Sequence, residues 1–96
     1  MLSIADIKEK VSPICEKYGV KKAYLFGSYA RGDADSESDV DLHIEKGKIR
    51  NLFQICGFRA DIMEALGKDV DIVSITAKAK EFRENLVREE ILLYEA

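Results

Sequence analysis

The run Val40-Asp41-Leu42-His43-Ile44-Glu45 alternates apolar and polar residues without a break. Period two marks a β-strand, because successive side chains leave opposite faces of the backbone. This strand must press Val40, Leu42 and Ile44 against a core and hold Asp41 and His43 on the other face. Asp39 extends the polar face by one position. Carboxylates at i and i+2 lie roughly 6.5–7 Å apart along a strand and repel unless protonated or shared by cations. Burying such a pair for stability alone is costly. Hard divalent cations that prefer oxygen, Mg²⁺ above all, suit it.

The rest of the chain supplies partners for that strand. Ser3 is a good N-cap, and Ile4, Ile7, Val11, Ile14 and Tyr18 follow at helical spacing. A first helix is expected over 4–18, kinked or restarted at Pro13 and closed by Gly19. Val20–Phe26 is a short β-prone run stopping at Gly27. A second helix spans 49–66, with Gly57 a weak point, and ends at Gly67. Val70–Ile75 reads as a third strand, and Thr76 caps a final helix to about Tyr94. The order α-β-β-α-β-α predicts an α+β (mixed α/β) fold, a small mixed sheet of three or more strands flanked by helices. Ninety-six residues suffice for one domain, spanning 1–96.

Composition narrows the function classes. At 47% hydrophobic and 34% charged residues the chain is an ordered globular protein. A net charge of −3 argues against a general grip on DNA or RNA, which needs many Lys/Arg–phosphate contacts. It leaves room for a small phosphorylated ligand whose charge a metal offsets. No apolar run approaches the ~20 residues of a membrane span. The N-terminus mixes acids and bases unlike a targeting peptide, so a cytoplasmic location is expected. Cys15 and Cys56 sit among apolar neighbours and are both expected to be buried, reduced thiols.

Ahead of the carboxylates stands Gly27-Ser28, at the end of the first strand. Glycine permits a sharp bend and close backbone approach, and Ser28 offers its hydroxyl and nearby N–H groups to phosphate oxygens. Arg31, one helical turn on, reaches toward the same phosphate or pairs with a nearby acid. A P-loop is excluded, since Asp33-Ala34 follows Gly32 where Lys-Ser/Thr belongs. An EF-hand from Asp33 fails at Ser38 and Ile44, and no G-x-G-x-x-G is present. Val70-Asp71-Ile72 repeats Val40-Asp41-Leu42, so Asp71 faces the same pocket if the strands are neighbours. Asp69, at the strand's start, is the weaker candidate. Asp33, Asp35 and Glu37 read as a solvated spacer, Tyr24 and Tyr29 as structural, and His43 as packing at the pocket edge.

Gly27-Ser28, ten residues, then Asp39-x-Asp41 resembles the signature of the DNA polymerase β-like nucleotidyltransferase superfamily. The fuller F-G-S-Y-A-R-G, S-D-V-D-L and G-K-D-V-D-I-V are similar to the minimal nucleotidyltransferases, the MNT group. The similarity runs from about Tyr18 to Tyr94. It implies the nucleotidyltransferase fold and a two-metal site. Asp39 and Asp41 would hold two Mg²⁺ ions, and Asp71 would ligate the catalytic one and assist deprotonation of the acceptor. Gly27 and Ser28 would hold the β- and γ-phosphates of ATP, with AMP transferred to a hydroxyl.

The same resemblance implies a partner. Larger superfamily members hold the acceptor on a second domain, for which this chain has no residues. MNT proteins are usually paired with a HEPN-domain protein, as a toxin–antitoxin couple in which a HEPN tyrosine is adenylylated and the ribonuclease silenced. The expectation is therefore an ATP- and Mg²⁺-dependent antitoxin in a hetero-oligomer with a HEPN toxin, with no membrane or direct DNA/RNA binding. The competing readings are a non-catalytic antitoxin that works by occlusion, and an enzyme acting on a small-molecule hydroxyl such as an aminoglycoside.

Overall fold

The structure, a computed structural model, describes residues 2–74 and 90–96. Helix α1 covers Ile4–Tyr18 and begins on a reciprocal cap. The Ser3 hydroxyl accepts from the Asp6 N–H at 3.0 Å, and the Asp6 carboxylate accepts from the Ser3 N–H at 3.1 Å. Pro13 lies inside the helix, which neither stops nor restarts there. Gly19 ends it in the left-handed conformation at φ 73°.

Strand β1 (Lys22–Phe26) runs into a one-turn helix, α2 (Gly27–Arg31), and the alternating segment forms β2 (Val40–Glu45). Helix α3 (Leu52–Leu66) is capped by Asn51, whose side chain accepts from the Gln54 N–H, so it starts later than the apolar pattern suggested. Ile49 is buried ahead of it, outside the helix. Strand β3 (Val70–Ser74) follows.

The last described element departs from expectation. Ile91–Glu95 is a strand, β4, rather than the end of a helix. It pairs antiparallel with β1, with a bulge between Ala23 and Tyr24. Its pairing with β1 satisfies the backbone groups on one side of the strand, and Leu93, at the bulge, is buried in the core. The rest of the expected helix, including Phe82, Leu86 and Val87, lies outside the described residues.

The sheet order is β3-β2-β1-β4, parallel between β2 and β3 and antiparallel elsewhere. One face packs on α1 and α3 through Leu25, Val40, Leu42 and Ile44, against Ile7, Val11, Phe58 and Ile62. Leu42 and Phe58 are fully buried, and truncating either to alanine costs about 2–5 kcal/mol. This anchoring fixes the parity of β2. With the even-numbered Val40, Leu42 and Ile44 held inward, Asp41 and His43 have only the opposite face available.

Candidate active site

The Gly27 turn sits directly on the aspartate strand. Phe26, the last residue of β1, is the register partner of Asp41. Gly27 then takes φ +72°, a conformation that side chains disfavour. A Cβ there would lie 3.5 Å from the Asp41 Cβ and 3.7 Å from its Oδ2. A Cβ would meet the carboxylate only at ordinary van der Waals distance, so it is the bend that calls for glycine, and the turn still lies directly against Asp41. Ser28 follows, half-buried, at the start of α2, and its carbonyl accepts from the Asp33 N–H at 3.0 Å. Tyr29 anchors the helix in the core.

The third carboxylate falls into place through the parallel pairing. Asp41 and Asp71 are register partners on β2 and β3, so their Cα atoms are roughly 4.8 Å apart and their side chains share a face. Asp39 stands one residue ahead of β2, where the Val40 N–H donates to the Asp69 carbonyl at 3.1 Å. Asp39 and Asp71 are exposed and Asp41 is half-buried. Among the described residues no three acidic, histidine or cysteine side chains close into a metal-ligand cluster. Like charges spread across an exposed face, and carboxylate rotation is what would bring them together. The donor set itself, three aspartates from neighbouring positions, suits a hard divalent cation.

The remaining candidates divide. Arg31 ends α2 and directs its Nε to Asp33 Oδ2 at 3.2 Å, an exposed pair beside the turn. Asp33, Asp35 and Glu37 of the spacer are exposed, as expected, and the loop also carries hydrogen bonds of its own. Asp35 Oδ1 accepts from the Glu37 N–H at 2.9 Å, and Lys68 Nζ donates to the Ser36 carbonyl at 2.9 Å. The lysine thereby ties the approach to β3 onto the loop that precedes Asp39. No spacing in the sequence signalled that contact. His43 packs at the site's edge, stacked on Phe26 with ring centroids 3.7 Å apart. Cys15 is buried, as expected, but Cys56 is exposed on α3.

Two hollows flank helix α3, and one of them reaches the entry to β3 beside Asp69. One of about 530 Å³ runs between α1 and α3, lined by Pro13, Lys17 and Asp61 among others. Another, of about 380 Å³, adjoins Gly67, Lys68 and Asp69.

The polymerase beta nucleotidyltransferase family profile matches residues 9–96. The chain belongs to this family. Its type within the family is the minimal nucleotidyltransferase. It is 33% identical over 90 residues to the Methanocaldococcus jannaschii protein named "Putative protein adenylyltransferase MJ0435", covering 94% of this chain and 97% of that one. It is 30% identical over 93 residues to the protein adenylyltransferase MntA of Thermococcus cleftensis, covering 93% and 94%. A solved structure of a tri-AMPylated Shewanella oneidensis HEPN toxin in complex with MNT antitoxin matches with a TM-score of 0.68 and 18% identity. That match covers 97% of this chain and 73% of the other, and at this identity it speaks for the fold alone. The nucleotidyltransferase assignment makes the Gly27 turn and the aspartate strand the place to seek the chemistry.

Proposed function

We propose that this chain is an antitoxin that transfers AMP from ATP to a tyrosine hydroxyl of a HEPN-domain ribonuclease toxin, as one nucleotidyltransferase domain acting in the cytoplasm with Mg²⁺. The observation that carries the reading is the juxtaposition of Gly27, Asp41 and Asp71 through strand register. Asp39 and Asp41 would hold the metal, with Asp71 completing the set. Two bound Mg²⁺ ions would supply the positive charge that eases attack at the α-phosphorus and departure of pyrophosphate. Gly27 and Ser28 receive the β- and γ-phosphates, the glycine by admitting the chain close to the backbone. Arg31 exchanges its exposed contact with Asp33 for a phosphate oxygen. The acceptor oxygen forms a bond to the α-phosphorus as the bond to the bridging oxygen breaks, and Asp71 takes the hydroxyl proton. Relatives named as protein adenylyltransferases support a protein as the acceptor.

Incubation with α-labelled ATP, Mg²⁺ and the HEPN protein is expected to place label on a partner tyrosine, and EDTA to prevent it. No label with the wild-type protein would sink the proposal. Label that persists in Asp39→Asn/Asp41→Asn would sink the assigned site.

A further inference from the structure

The sole histidine of the chain stands on the carboxylate face, two residues beyond Asp41. Its ring lies nearly parallel to Phe26, at 20° between planes. Phe26 is in turn paired across the sheet with Asp41, and His43 with Tyr24. The stack therefore holds the imidazole over the strand junction beside the aspartate. His43 Nε2 is 3.6 Å from Asp41 Oδ1, just beyond hydrogen-bond length. The other carboxylate oxygen, Oδ2, is the one next to the Gly27 turn. Asp41 is thus bounded on two sides, by an imidazole nitrogen at one oxygen and a side-chain-free glycine at the other.

Stacking alone would be met by phenylalanine at position 43. What histidine adds is a polar nitrogen facing the carboxylate, and a slight rotation of Asp41 brings the two into hydrogen-bond range. We propose that His43 is a positioning residue: braced by Phe26, it donates to Asp41 Oδ1 and keeps Oδ2 turned toward the Gly27 phosphate turn. The role rests on the metal-binding reading of Asp41 above. It acts through orientation of a ligand, in the way outer partners of metal-binding carboxylates do. His43 touches no reacting atom.

Mn²⁺ serves as the probe, titrated without nucleotide and followed by the electron paramagnetic resonance of free ion. His43→Phe, which keeps a ring and loses the donor, is expected to weaken Mn²⁺ binding about 10-fold. Its melting temperature should match wild type. His43→Gln, which restores an N–H donor, should recover most of the affinity. In transfer assays kcat should fall in His43→Phe while KM for the acceptor holds. Wild-type affinity in His43→Phe, with Asp41→Asn impaired, would overturn the role of His43 alone. Should His43→Phe fail to fold, wild-type affinity in His43→Leu would overturn it equally. Wild-type affinity in Asp41→Asn would overturn the metal reading and the His43 role with it.

Discussion

Asp61 and Asp41 are both half-buried aspartates, and the protein treats them in opposite ways. Asp61 Oδ2 accepts from the Tyr18 hydroxyl at 2.8 Å and from Lys17 Nζ at 3.2 Å, joining α3 to α1. The Tyr18 hydrogen bond, then Lys17, holds its carboxyl below the ordinary 3.8, and the same bond raises the Tyr18 phenol. Even the backbone makes room. A Cβ on Gly57 would lie 2.9 Å from the Tyr18 hydroxyl, so the weak point in α3 is where the tyrosine enters. Around Asp39, Asp41 and Asp71, among the described residues, no lysine or arginine forms an ion pair. Acids satisfied by their own chain hold helices together. In the proposed reading, the acids of the strand edge are held instead for charge that arrives from outside.

This contrast can be broken first at the aspartate strand. Asp39→Asn/Asp41→Asn should lower transfer by about 10³-fold or more, since several kcal/mol of charge stabilisation are lost at about 1.4 kcal/mol per decade. Relief of like-charge crowding should leave the melting temperature unchanged or slightly higher. A large drop would mean that these acids are structural, as Asp61 is.

Gly27→Ala tests the seam between turn and carboxylate. Left-handed strain of about 1–2 kcal/mol should lower the melting temperature by at least about 4 °C, and activity should fall further than the stability loss explains. Thermal melts beside transfer rates separate the two effects.

A smaller effect is expected from Asp61→Asn, read as melting temperature against pH. Because the folded carboxyl titrates below 3.8, its stabilisation is complete above 3.8 and lost as pH falls through the lower folded value. Wild type should therefore lose stability more steeply than Asp61→Asn in that acid window. Tyr18 has the reverse sign. Its raised phenol stabilises fully below 10.0 and ceases to do so as pH rises through the folded value. Tyr18→Phe should flatten that alkaline limb.

The mildest test distinguishes the two thiols. Burial pushes the Cys15 thiol up to about 12, whereas Cys56 is exposed. A native disulfide-exchange reagent should react with Cys56 at once and with Cys15 only after unfolding. Prompt reaction of both would show that α1 opens readily.

What the letters revealed follows the range of the forces involved. Helix α1 with its caps and strand β2 are written in local periodicity, and the Gly27-Ser28 to Asp39-x-Asp41 spacing singled out the candidate site from the letters alone. Asp71 was found because Val70-Asp71-Ile72 echoes β2, although only the parallel register makes it a neighbour of Asp41. Ile91–Tyr94, expected to end the last helix, lies in a strand because a four-residue apolar run has no periodicity of its own. Its state is decided by hydrogen bonds to β1, far away in sequence. Cys56 was misread because its apolar neighbours Leu52 and Phe53 are themselves exposed, at 74% and 90%. The His43 stack depends on a diagonal cross-strand contact that no local pattern announces.

Synthesis from the N-terminus gives the sheet order a temporal meaning. Strand β1 can pair with β2 soon after both leave the ribosome, but its other edge waits for Ile91–Glu95, which is made only after β2, α3 and β3. The nascent chain therefore passes through an interval in which the Gly27 turn and Asp41 are already joined while β1 offers an unpaired edge. Until β4 arrives, that edge is a template on which another chain could pair.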